Sequence, residues 1–263
     1  MAKVVDDEYW KRLWVEDNIG FHRSEVHPGL LKYIAEMTAG QEKCKIFVPL
    51  CGKSEDLKWL ADRGHTVVGV ELATLAIEAF FKENELDFTT SHVEGLSDAD
   101  LYKSQDDSIF IYKADIFDLN KDIMGEFDCI WDRASLVALP RQDIQRYADL
   151  MRSILKSKGR CLLETVEYDQ SKMNGPPFST AVQTVEQLYA PFEITSVYGK
   201  ASYGHDDCPS MRFHWKSHLL LTLPTASDWD IKPLEMSDWT NDMWRRAGLD
   251  VISGRIALLT RKR

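Results

Sequence analysis

Apolar positions along the chain follow two periods, and the change of period marks the elements. Between residues 6 and 15, Tyr9, Trp10 and Leu13 fall at i, i+1 and i+4, and Trp14 adds to the same face. That spacing predicts a short helix. Asn18, Ile19 and Gly20 break it. His27, Pro28 and Gly29 open a second predicted helix through Met37, with Leu30, Leu31, Ile34 and Ala35 on its apolar side. Residues 45–50 then read as a strand. Ser54 caps a helix over 54–61, with Glu55 and Asp56 near its positive end. Gly64 ends that helix. Residues 66–70 are almost wholly apolar, as expected of a strand buried on both faces. Thr74 is the expected cap of a helix that runs to about Glu83.

The stretch from about 86 to 106 is polar and poorly periodic, and no element is predicted there. Strands are predicted at 108–112, 127–131 and 160–166, with a helix at 141–155 between the last two. Residues 182–189 read as helix, 192–198 as extended, and 251–260 as a closing strand. Strands that alternate with helices imply right-handed βαβ crossovers and a mostly parallel sheet. The last two strands lack an obvious crossover helix, so an antiparallel member is expected. The stretch from about 204 to 241 contains DDCPS, MRFHWKSHLLLTLP and SDWDIKPLEMSDW. Its tryptophans and LLLTLP suggest an ordered insertion with one more strand. No internal repeat is seen.

Composition narrows the partners. The chain has 263 residues, 44% of them apolar, enough for one α/β domain with extensions. A net charge of -10 argues against nucleic acid as the main partner. No apolar run approaches the roughly 20 residues needed to span a bilayer, so no membrane association is expected. The first residues, MAKVVDDEYWKRLW, lack the apolar centre of a secretory signal. The cysteines are Cys44, Cys51, Cys129, Cys161 and Cys208, without a CxxC pair. They read as reduced thiols of a cytoplasmic protein, and no metal site is expected.

The candidate chemistry starts at the first strand's end, where the turn reads PLCGKS. In open α/β sheets, ligands bind at the carboxyl ends of the strands. A dinucleotide turn uses three glycines so that backbone can approach a pyrophosphate; this turn holds only Gly52. S-adenosylmethionine carries an adenosine but no phosphate, and suits a turn with one glycine. Glu71, about twenty residues on at the end of VVGVE, is placed to accept hydrogen bonds from ribose hydroxyls; the alternative is an ordinary strand-end carboxylate. After the third predicted strand, in YKADIFDL, Asp115 is placed to meet an adenine amino group and Ile116 to pack on the ring. The alternative for Asp115 is a helix cap. The fourth strand ends in IWDRASLVALP, which puts Asp132 and Arg133 nearest a reaction centre. The alternative there is a surface ion pair.

Taken together, these segments resemble the thiopurine S-methyltransferase family. The resemblance is carried by Trp10, Trp14, Gly20, Phe21 and His22, then PLCGKS, WLADRGHTVVGVE, IFDL, WDRASLVAL and YDQSKMNGPPFS in order, with WRRAGLDVISGRIALLTRKR at the end. It implies a single class I methyltransferase domain over 1–263. In that fold a Rossmann-like seven-stranded, mostly parallel sheet carries helices on both faces. An N-terminal helical lid is expected over about 6–38, a core over about 44–200 and 243–263, and an insertion over about 204–241. The implied S-adenosylmethionine contacts are Trp10, Trp14, Phe21, Leu50, Glu71, Asp115, Ile116 and Arg133, with S-adenosylhomocysteine as product. Phe21 would also face the acceptor. The family is generally monomeric. Its eukaryotic members often carry Ser where this chain has Asp115, and the insertion is longer than usual. An arginine from the C-terminal region helps the family hold an anionic acceptor; Arg212, Arg245 and Arg246 are the candidates here.

The implied reaction is in-line methyl transfer to a small aromatic or heterocyclic thiol. Arg133, with one of the C-terminal arginines such as Arg212, would hold the thiolate, and Asp132 would orient Arg133 or take a proton. Pro176, Pro177 and Phe178 would wall the acceptor pocket, or else serve as a rigid connector. His22 is a candidate base, or a structural histidine. Selenium or tellurium species, halide or another soft nucleophile remain alternative acceptors, and a non-catalytic S-adenosylmethionine-binding module is the alternative outside enzymes.

Overall fold

The computed structural model describes residues 5–189, 229–234 and 253–261. Its strands are β1 (Lys45–Val48), β2 (Thr66–Glu71), β3 (Phe88–His92), β4 (Asp100–Ser104), β5 (Ile109–Lys113), β6 (Phe127–Arg133), β7 (Leu155–Glu167), β8 (Trp229–Leu234) and β9 (Ser253–Arg261). Its helices are α1 (Asp7–Val15), α2 (Pro28–Thr38), α3 (Glu55–Ala61), α4 (Thr74–Glu83), α5 (Lys121–Met124), α6 (Ile144–Ile154) and α7 (Val182–Leu188). The strands form one sheet in the order β3-β4-β5-β2-β1-β6-β7-β9-β8. From β5 to β7 all neighbours are parallel. β9 runs antiparallel to both β7 and β8. The reversal expected near the end of the chain is therefore present.

Seven strands from β5 to β8 make up the expected sheet, and the hairpin β3–β4 extends it at one edge. The hairpin lies in the stretch where no element was predicted. All five residues of β3 are exposed, and a strand with no buried face shows no alternation of apolar and polar positions. β8 lies within 204–241. The strands expected at 192–198 and at LLLTLP, and Arg212, Arg245 and Arg246, lie outside the described residues.

Strand pleat assigns side chains to two cores. One face carries Ile46, Val48, Val67, Cys129, Trp131 and Leu162, packed against Leu30, Tyr33 and Met37 of α2 and Leu57 and Leu60 of α3. Ile77, Phe80 and Phe81 of α4 join the same cluster. The other face carries Phe47, Val68, Val70, Ile130, Cys161 and Leu163, packed against Tyr147, Met151 and Ile154 of α6 and Val185 and Leu188 of α7. Each such fully buried side chain contributes about 1.5–3 kcal/mol through apolar area removed from water.

Helix starts follow local chemistry, with one difference. Asp6 caps α1 by accepting from the Tyr9 N–H at 2.9 Å, and Ser54 caps α3 by accepting from the Asp56 N–H at 3.3 Å. Thr74 is the first residue of α4, not its cap; the cap position is Ala73, which offers no side-chain bond. The Ala73 N–H goes instead to the Glu71 carboxylate at 2.7 Å.

Two positions beneath the strand ends give stability tests. Gly69 lies in β2 under the first turn, and a Cβ there would stand 2.7 Å from Cys51 Sγ and 3.4 Å from Leu57 Cδ2. Gly69→Ala is expected to cost about 1–3 kcal/mol by overpacking, read as a lower urea midpoint; an unchanged midpoint contradicts the tight fit. Asp132 is fully buried and accepts from the Tyr147 hydroxyl at 2.8 Å and from the Ser135 and Leu136 N–H groups at 3.2 and 3.3 Å. Burial pushes its carboxyl up to about 6, against the pull of the Tyr147 hydroxyl and the two N–H groups. A folded-state value above the unfolded one means that the folded state binds the proton more tightly. Wild-type stability then falls as pH rises from about 4 to about 6, by up to about 3 kcal/mol. Asp132→Asn imitates the protonated form. Its stability relative to wild type is expected to rise across that window in urea denaturation; a pH-independent difference contradicts the assignment.

Candidate active site

The first turn is built from two left-handed residues. Leu50 has φ 43° and Gly52 has φ 53°. Glycine adopts this region freely, whereas a leucine there carries a local strain of about 1–2 kcal/mol. The Cys51 N–H donates to the Val70 carbonyl at 2.9 Å and ties the turn to β2. Glu71, at the end of β2, closes the arrangement. Its Oε2 accepts from the Gly52 N–H at 2.9 Å and its Oε1 from the Ala73 N–H at 2.7 Å. Burial raises its carboxyl above the usual range, while the N–H groups of Ala73 and Gly52 pull it back. A carboxylate has about four lone-pair sites, so each Glu71 oxygen keeps capacity for a further donor.

α1 and the turn after it roof the space beyond this turn. Phe21 packs edge-on against Trp10 and Trp14, with centroids 5.6 Å apart in each case. Trp14 also sits against Gly52, where a Cβ would lie 3.0 Å from Trp14 Cζ2. The single glycine of the turn thus serves its left-handed backbone and the seat of Trp14 together. Arg133, at the end of β6, donates from Nη2 to the Phe21 carbonyl at 2.9 Å and ties the roof to the sheet. Burial lowers the basicity of Arg133, and the Glu164 and Asp56 carboxylates favour its charge.

The cavity measures about 970 Å³. It is lined by Trp10, Trp14, Phe21, His22, Leu50, Gly52, Glu71, Asp115, Ile116, Arg133 and Pro177. The structure therefore gathers these predicted residues around one space. Asp115 has both of its weighed roles available: Oδ1 caps the turn at residues 116–118 by accepting from the Phe117 N–H at 2.9 Å, and the residue lines the cavity. His22 stands beside Trp14 with centroids 6.5 Å apart. Burial first, then Lys53 and Arg133, lower its basicity.

Asp132 and Phe178 are not among the residues that line the cavity. Pleat alternation turns Asp132 to the α6 face, where its oxygens serve Tyr147, Ser135 and Leu136. Arg133, the next residue, turns to the α2 face, so the two do not form the pair expected of them. Phe178 donates its N–H to the Val137 carbonyl at 2.6 Å, and its ring packs against Gly175. Arg212 lies outside the described residues. The cavity also takes residues that were read only as local structure. His27 reads in the sequence as a helix start, and Ser135 as part of the turn after the fourth strand; both line the cavity. Ser135 donates its hydroxyl to the Pro49 carbonyl at 2.8 Å and so fixes the β6 turn against the β1 turn.

The lining fits an adenosine ligand without phosphates. Glu71 and Asp115 bring carboxylate acceptors to the cavity, and Asp6, Asp7 and Asp143 add acidity. Lys53 at the turn is paired with Glu83 at 2.6 Å. Arg23, Arg133 and Arg146 line the same cavity. No group of His, Cys, Asp and Glu suited to a metal ion occurs among the described residues.

Comparison with known proteins agrees with this geometry. The family model described as thiopurine S-methyltransferase matches residues 5–220. The thiopurine S-methyltransferase of Mus spretus is 40% identical over 187 residues, 71% of this chain and 78% of that protein. A probable thiopurine S-methyltransferase of Danio rerio is 40% identical over 187 residues, 71% of this chain and 81% of that one. Among solved structures, the Burkholderia thailandensis 1,6-didemethyltoxoflavin-N1-methyltransferase, with bound 1,6-didemethyltoxoflavin and S-adenosylhomocysteine, is similar in fold. Its TM-score is 0.54 at 11% identity, covering 98% of this chain and 87% of that one. The fold is the Rossmann-like methyltransferase fold, and the chain belongs to the thiopurine S-methyltransferase family.

Proposed function

We propose that this chain transfers a methyl group from S-adenosylmethionine to the sulfur of a small thiol, aromatic or heterocyclic in type. The observation that carries the reading is the cavity at the strand ends, with Glu71 and Arg133 both in its lining. Bound S-adenosylmethionine supplies an electrophilic methyl on a sulfonium. Glu71 would accept from the ribose hydroxyls, Asp115 from the adenine amino group, and Ile116 would pack on the ring. Trp10, Trp14 and Phe21 cover the site and exclude water.

The protein's own work is mostly positional. Alignment of two reacting groups can supply roughly 7–11 kcal/mol of a barrier. A thiolate is a strong nucleophile, and acidic aromatic thiols ionise near neutral pH without a base. Arg133 lines the cavity and favours an anion there. Pro176 and Pro177 line the same cavity and make a wall for the acceptor. His22, with lowered basicity, is neutral near pH 7 and is the residue suited to take a proton from a less acidic thiol. The chain acts as a monomer in the cytoplasm. Among the described residues no helix is long and apolar enough to cross a membrane.

Product identity tests the reading. Purified protein is incubated with S-adenosylmethionine and 6-mercaptopurine, thiophenol, an aliphatic thiol, selenite or iodide, and products are read by mass spectrometry. An S-methylated aromatic thiol is expected. Methylation of selenite or iodide alone, or no product with S-adenosylmethionine bound, contradicts it. Arg133→Gln is expected to lower kcat/KM on ionised aromatic thiols by about 10- to 100-fold, the range of a lost hydrogen bond to a charged group. Affinity for S-adenosylhomocysteine should change far less. Unchanged turnover removes Arg133 from the acceptor site.

A further inference from the structure

Beneath the cavity lies a set of buried charges that the methyl-transfer reading does not use. Glu164 on β7 is 1% exposed. Neither of its oxygens makes a well-formed hydrogen bond among the described residues. His27 Nε2 lies 3.1 Å from Oε1. The His27 ring is itself fixed: Nδ1 accepts from the Gly29 N–H at 3.1 Å, and the backbone N–H donates to Asp56 Oδ1 at 2.8 Å. With Nδ1 accepting, Nε2 is the donor nitrogen of the ring, and it faces Glu164. His27 stands at Oε1 alone, and a carboxylate this buried calls for a cation beside it.

Arg133 is placed to be that cation. It is the register partner of Glu164 across the parallel strands β6 and β7. Pleat puts Trp131 and Leu162, two residues before each, on the α2 face. Arg133 and Glu164 therefore share that face. Arg133 Nη2 is taken by the Phe21 carbonyl, and its buried Nε has no partner among the described residues. Nothing in its own hydrogen bonds fixes the guanidinium from the sheet side.

We propose that Glu164 is a positioning residue for Arg133: its buried carboxylate, steadied by His27, holds the guanidinium toward the acceptor end of the cavity. The remaining guanidinium N–H groups are then kept for an anionic sulfur. This inference rests on the reading of Arg133 as the acceptor's anion site. It makes selectivity for charged over uncharged acceptors depend on a residue that does not line the cavity.

The test is a binding experiment on the full chain saturated with S-adenosylhomocysteine. Two probes are titrated by calorimetry: 4-nitrothiophenolate, which is charged at neutral pH, and its uncharged methyl thioether. Glu164→Gln is expected to weaken the thiolate about 10-fold, within the range of couplings between neighbouring residues. The thioether and S-adenosylhomocysteine should be little affected. In the Arg133→Gln background the same change should have no further effect on the thiolate. Equal weakening of both probes, or an undiminished effect in that background, overturns the proposal and leaves Glu164 as a partner of His27 alone. If Glu164→Gln fails to fold, Glu164→Asp serves. It withdraws the carboxylate from Arg133 by one methylene: a weaker preference for thiolate with the thioether unchanged, absent in the Arg133→Gln background, supports the proposal, and an unchanged preference overturns it. Wild-type protein that binds neither probe overturns the acceptor reading itself, and the positioning role with it.

Discussion

The grip of one carboxylate on two backbone N–H groups organises the site. Glu71 accepts from Gly52 in the β1 turn and from Ala73 at the start of α4. Three elements that are apart in sequence are joined at a single buried charge. The turn must also take Leu50 into the left-handed region, and that strain persists only because its surroundings over-determine it. Cys51 is tied to Val70, Gly69 leaves room for Cys51, and Trp14 closes on Gly52. A ligand that shares Glu71 therefore meets a preformed surface, with little left to order on binding.

Strand pleat is the second constraint, and it divides the work at the end of β6. Asp132 goes to the α6 face and holds the loop that follows it; Arg133 goes to the α2 face and the cavity. On the α2 face, Asp56, His27 and Glu164 form a buried polar layer under the roof. Such a layer is costly unless its charges compensate one another. Arg133 is where that layer meets the cavity.

Much of this was legible from residues alone. The βαβ order, the single-glycine turn, Glu71 at the end of β2 and Asp115 after β5 all follow from periods and spacing, and each lines the cavity. What escaped did so for physical reasons. The β3–β4 hairpin has an exposed first strand and carries no periodic signal. The start of α4 is served by a glutamate three residues before Thr74, which no local capping rule anticipates. The supposed Asp132–Arg133 pair was open to correction from sequence, since neighbours in a strand point to opposite faces. Glu164 gave no sign. A glutamate inside the apolar run CLLETV discloses its partner only once β7 is laid against β6.

The central claim is that this turn takes an adenosine ligand without phosphates. Calorimetric titration of the purified chain with S-adenosylhomocysteine and, separately, with NADH tests it most directly. The account predicts saturable binding of S-adenosylhomocysteine at one site and none of NADH. Saturable NADH binding without S-adenosylhomocysteine binding would contradict it.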